Sequence, residues 1–123
     1  QTGQHTHMDK VIIKRDGLPP ISFTGELIAE ADNKVDSNGR ANRWTEIAIY
    51  RTKGGKYIAS IKRLTCWQGE SDHTTAGSFA TAGETIEFLR QDDGELGSVS
   101  QEAVEKAVKV DPAFEASWVE EVE

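Results

Sequence analysis

Glu70, Asp72 and His73 are the one place in this chain where metal-ligating residue types crowd together. In an extended segment Glu70 and Asp72 project to one face, and two carboxylates with an imidazole suit a divalent ion. The same residues also suit a polar loop in which Asp72 bonds nearby backbone amides. That plainer reading is preferred, because such triplets are common in loops. Cys66 and His73 are the types of a thiolate–imidazole pair. Nothing in the sequence supplies a group to orient the imidazole, and a lone cysteine beside Trp67 is ordinarily a small buried hydrophobe. Gly54-Gly55-Lys56 lacks the Ser/Thr and the helix of a phosphate loop. No catalytic residue and no cofactor is assigned on this basis.

A second cluster is built for binding. Arg40 to Arg63 carries seven basic residues against one acid, Glu46. Trp44, Tyr50 and Tyr57 are of the types that stack on bases, with Arg43, Arg51, Lys53 and Lys56 placed for phosphates. The competing reading makes the aromatics core and the charges a solvated rim, and it is favoured because aromatics of a central hairpin usually pack under helices.

The supply of chemical groups is narrow. The first seven residues, QTGQHTH, read as an expression scar ahead of Met8, with 8–123 as one domain. That leaves His73 as the remaining histidine and removes the commonest general base from elsewhere in the chain. A single cysteine forms no internal disulfide and fits a reducing, cytoplasmic setting. No apolar run approaches the roughly 20 residues needed to span a bilayer, so no membrane partner is expected. The net charge of −7 is uneven. Residues 1–90 hold 12 basic and 11 acidic side chains, whereas 91–123 hold 2 and 10. The acidic segment is expected to lie near the basic hairpin.

The elements that must position these groups follow from local patterns. Lys10–Arg15 is a β-branched run ended by Asp16-Gly17. Pro19-Pro20 then requires a turn or an edge. From Ile21 to Asp32 apolar and polar residues alternate, predicting a strand with one wet face. Gly25 marks a bulge or a close backbone approach. Residues 32–42 read as a polar loop.

A two-residue Gly54-Gly55 turn predicts a hairpin that pairs Tyr50 with Ala59, Ala48 with Ile61 and Glu46 with Arg63. One face would then carry Trp44, Ala48, Tyr50, Tyr57 and Ile61. The other would carry Ile47, Ile49, Ile58 and Leu64. A short strand is expected near His73–Phe79. Thr81 and Glu84 have capping-box spacing, with Ile86 and Leu89 facing the core. Asp92-Asp93-Gly94 ends that helix. Ser98 or Ser100 caps a second, with Val99, Ala103, Val104, Ala107 and Val108 at helical spacing. Asp111-Pro112 starts a third, with Phe114, Trp118 and Val122 on one stripe and a fraying end at 120–123.

Strands followed by helices imply α+β. The expected fold is a single domain. Its antiparallel sheet has four or five strands around the central Gly-Gly hairpin, packed by two or three C-terminal helices.

The strings W-T-E at 44–46, Y-R-T at 50–52, G-G-K-Y at 54–57 and W-Q-G-E-S-D at 67–72, with Phe23-Thr24-Gly25-Glu26-Leu27, resemble a group of small uncharacterised bacterial proteins. The resemblance covers roughly residues 21–90. It implies one fold unit with a strand, a hairpin and a Trp-Gly-Glu loop. It implies no activity, ligand or catalytic residue.

Together these features point to a small soluble protein, cytoplasmic and non-catalytic, that works as a protein-interaction module with a protein partner. One alternative is a single-stranded nucleic-acid binder using the basic aromatic hairpin. Another is a small metal-dependent enzyme at the 66–73 loop.

Overall fold

Asp16 and Gly17, the latter at φ +72°, reverse the chain after its first strand. The computed structural model describes residues 9–32, 43–65, 69, 71–91 and 98–118. Outside them lie the expected scar, residues 33–42 of the expected 32–42 loop, Cys66, Trp67, Glu70, the expected Asp92-Asp93-Gly94 stop, Val122 and residues 120–123. Five strands come first: β1 (Asp9–Arg15), β2 (Leu18–Asp32), β3 (Arg43–Thr52), β4 (Tyr57–Thr65) and β5 (His73–Phe79). Three helices follow: α1 (Ala82–Gln91), α2 (Ser98–Val110) and α3 (Pro112–Trp118). The strands pair antiparallel in chain order, so the domain is α+β as the segregated pattern predicts.

The sheet curls until its two ends meet. Asp16 N donates to Thr74 O at 3.1 Å, and Arg15 Nη1 reaches Ala76 O at 3.4 Å. Pro19 and Pro20 sit at the exposed start of β2, beside the irregularity between Ile13 and Arg15. There a missing N–H costs no central ladder bond.

The β3–β4 register differs from the sequence expectation. Tyr50 lies opposite Ile58, Ala48 opposite Ser60 and Glu46 opposite Lys62. The reason is the turn. Gly55 N donates to Thr52 O at 2.9 Å and Thr52 N to Lys56 O at 2.8 Å. Of the two glycines, Gly55 alone has positive φ, +90°. A two-residue mirror-image turn of type I′ needs positive φ at both centres. This loop instead spans Lys53, Gly54 and Gly55, with Gly55 in the left-handed position. The extra loop residue moves the register by one and so exchanges the faces of β4. Tyr57, Ala59 and Ile61 join Ile47 and Ile49 under the helices, and Ile58 joins Tyr50 on the other side.

A second face exchange occurs inside β2. Its alternation is continuous in sequence, yet Ile21 and Phe23 pack inside the curl while Ala29 and Ala31 pack under the helices. A bulge between Leu27 and Ala29 inserts Ile28 and reverses the parity. Gly25, paired with both Asp9 and Thr52, is a site of close approach. A Cβ there would press on the Arg51 carbonyl oxygen and lie 2.9 Å from Thr52 Cα.

The helices cover the outer face of the sheet with Ile86 and Leu89 of α1, Ala103, Val104 and Ala107 of α2, and Phe114 of α3. The starts of α1 and α3 follow the sequence signals, whereas Ser98 and Ser100, expected as caps, both lie inside α2. Thr81 Oγ1 accepts from Glu84 N at 3.1 Å, and Glu84 Oε1 accepts from Ala80 N at 3.0 Å. Asp111 Oδ1 accepts from Ala113 N at 2.8 Å, with Pro112 in the first helical position.

Candidate functional site

The described part of the 66–73 segment ties strand ends together. Asp72 Oδ1 accepts from Thr65 N at 3.0 Å, joining the end of β4 to the approach of β5. His73 Nδ1 lies 2.9 Å from Asp16 Oδ2, which also accepts from Thr74 N at 3.3 Å. Asp16 therefore holds the β1–β2 turn on the start of β5. His73 and Asp16 are both largely exposed. Glu70 and Cys66 lie outside the described residues. Among those that are described, no group of three His, Cys, Asp or Glu side chains is placed to hold a metal ion.

The residues expected to form one basic aromatic surface are divided by the corrected register. Trp44 and Tyr50 belong to the inner face, where Trp44 Nε1 donates to Glu46 Oε2 at 3.0 Å and Tyr50 meets Phe23 edge-on at 5.2 Å. Tyr57 is on the helix side and only 6% exposed. Its ring meets Phe114 edge-on at 5.1 Å, and its hydroxyl donates to Asp111 Oδ2 at 2.8 Å. Tyr57 is thus core, and its ring is closed to base stacking. Arg51 approaches the same carboxylate at 3.6 Å. With the Tyr57 contacts, this ion pair joins the hairpin to the acidic segment. Lys53 and Lys56 are exposed at the turn. The Arg43 side chain lies outside the description.

Burial above all, then the bond to Asp111 and its charge, push the Tyr57 hydroxyl up to about 12, with Arg51 opposing. Burial first, and Glu30 second, raise Tyr50.

Two concave features were not legible in the sequence. The first is the mouth of the curl, a cavity of about 530 Å³ on the inner face. Pairing sets its polar residues in rows across the strands. Asp32, Glu46, Lys62 and Thr74 form one row, and Glu30, Ala48, Ser60 and Ala76 the next. Parity along β4 would have revealed Ser60 and Lys62 had the turn length been known.

The second is a groove of about 390 Å³ between β2 and α2. Leu27, Ile28, Ala29 and Glu30 of β2 line it with Lys106, Lys109 and Val110 of α2, and Leu27 and Glu30 also line the cavity of the curl. Leu27 is 46% exposed and Val110 61%. The sequence hint was Val110 itself, an apolar residue off the buried stripe of α2.

Comparison with protein-family models, with curated proteins and with solved structures returns no match. Among the described residues no helix is long and apolar enough to cross a membrane.

Proposed function

We propose that this protein is a non-catalytic interaction module that docks a protein segment in the groove between β2 and α2. The observation that carries the reading is that Leu27 and Val110, two large aliphatic side chains left exposed, line the same groove. Exposed apolar residues scattered singly are ordinary, whereas a contiguous set rimmed by charge is the pattern of an interaction site.

The rim defines the partner. Lys106 Nζ is held by Glu30 O at 2.9 Å and by Glu102 at 3.2 Å, so its ammonium is fixed beside the groove. Lys109 stands three residues on along α2, where successive turns bring side chains to one helix face. The complementary segment presents an apolar anchor flanked by carboxylates. Rim charges of this kind set the association rate and the choice of partner more than the affinity.

The test is binding of acidic–apolar peptides, selected from a displayed library against the full chain, followed by chemical-shift mapping. Shifts centred on Leu27, Ile28 and Val110, with affinity lost in Val110→Glu, support the reading. Because Val110 is exposed, Val110→Glu should leave the unfolding midpoint unchanged. Shifts centred on Lys53 and Lys56, with equal affinity for single-stranded DNA, would replace this reading with the nucleic-acid one. Self-association abolished by Val110→Glu would make the occupant a second copy of the chain instead.

A further inference from the structure

We propose that the cavity inside the curled sheet is a second binding site, for a small zwitterion. Its ammonium group would be held by Glu30 and Glu46, and its anionic group by Lys62.

The first observation is an unsatisfied group at the floor. Ser60 is 3% exposed and lines the cavity from the middle of β4. Its hydroxyl has no hydrogen-bond partner among the described residues, yet no fully enclosed side-chain oxygen or nitrogen there lacks one. The hydroxyl is therefore open to the cavity. A buried polar group is ordinarily paired within the protein, and one that faces a cavity takes its partner from there.

The second observation is the separation of charge along the walls. Glu30 and Glu46 both line the cavity, on the neighbouring strands β2 and β3. Glu46 is oriented by the Trp44 indole, and Glu30 lies close enough to Tyr50 to act on its hydroxyl. Lys62 faces Glu46 from β4, but no ion pair within 4.0 Å joins them. Acidic side chains of β2 and β3 thus share one opening with two lysines, Lys62 of β4 and Lys14 of β1.

Spacing selects the ligand. Glu46 lies one ladder spacing from Lys62, roughly 5 Å, and Glu30 two, roughly 10 Å. A ligand whose ammonium reaches both acids while its anionic group meets Lys62 carries the two charges several bonds apart, as in an ω-amino acid. A cavity of this volume falls within the range of about 300–1,000 Å³ usual for small-molecule sites.

Calorimetric titration of the full chain tests the assignment with 5-aminopentanoate, pentylamine, pentanoate and glycine. The expected order is 5-aminopentanoate tightest, pentylamine weaker by roughly tenfold, and no binding of pentanoate or glycine. Glu46→Gln and Lys62→Gln should each weaken 5-aminopentanoate, and Lys62→Gln should leave pentylamine unchanged. Ser60→Leu fills the floor and should abolish binding of both. Should that variant fail to fold, the Lys62→Gln contrast between the two probes decides. Val110→Glu should have no effect, which separates this site from the β2–α2 groove. Absence of heat with every probe at millimolar concentration would overturn the proposal. Equal affinity for 5-aminopentanoate and pentylamine, or binding that survives Ser60→Leu in a folded protein, would do the same.

Discussion

The Tyr57 hydroxyl donates to Asp111 Oδ2 at 2.8 Å, and this bond joins the start of β4 to the junction of α2 and α3. Asp111 is 3% exposed and serves several elements at once. Its N–H closes α2 on Ala107 O at 2.8 Å, and its other carboxylate oxygen caps α3. A carboxylate so placed is tolerated because its acceptor sites are used and Arg51 stands alongside.

Tyr57→Phe should therefore destabilise the protein by about 1.5–3 kcal/mol, the span for a hydrogen bond to a charged group. Asp111→Ala should cost more, about 2–4 kcal/mol, since it removes the cap and strands the tyrosine hydroxyl. Urea midpoints at constant m-value measure both. Equal costs for the two variants would show that the cap contributes nothing.

Stability should fall in alkali. The folded state holds the Tyr57 proton up to about 12 against the ordinary 10.0, so between those values the native state binds more protons than the unfolded one. Unfolding free energy then decreases as pH rises through that window and is at its full value below it. Tyr50, also raised, acts in the same direction. These are the chain's two tyrosines, so the tyrosinate absorbance reports on them alone. In Tyr57→Phe the late part of the titration should disappear.

The three glycines of the hairpin region should respond differently to alanine. Gly54→Ala should be nearly neutral, because Gly54 has no positive φ and its new methyl meets only Thr52 Oγ1 at 3.9 Å. Gly55→Ala should cost about 1–2 kcal/mol for the left-handed backbone. Gly25→Ala should cost about 1–3 kcal/mol or more, because the methyl collides with the backbone of Arg51 and Thr52. Thermal midpoints rank them. Equal losses at Gly54 and Gly55 would restore the two-residue turn.

Phe114 and Trp118 share a helix stripe but not a burial. Phe114 is fully enclosed in the core, while Trp118 is half-buried at its edge. Phe114→Ala should cost about 3–5 kcal/mol. Trp118→Ala should cost less, about 1–3 kcal/mol, scaled to the area it hides. Denaturant curves of the two variants check the order.

Much of this architecture was written locally. The Thr81–Glu84 cap, the Asp111-Pro112 start, the Ala103–Val104–Ala107 stripe and the alternation of β2 all act within a turn or two of chain. Propensity and capping work at that range, and one sequence carries the whole signal. Tertiary structure decided the faces. One added loop residue at Lys53–Gly55 and one bulge at Ile28 each reversed a strand's parity, because side chains alternate with a period of two. Those reversals sent Tyr57 to the core and separated it from Trp44 and Tyr50. They also placed Ser60 and Lys62 on the inner wall. The groove between Leu27 and Val110, and the cavity mouth, depend on contacts between residues far apart in the chain. Composition and spacing do not encode which distant walls will face each other; the curl of the sheet and the seat of α2 on β2 do.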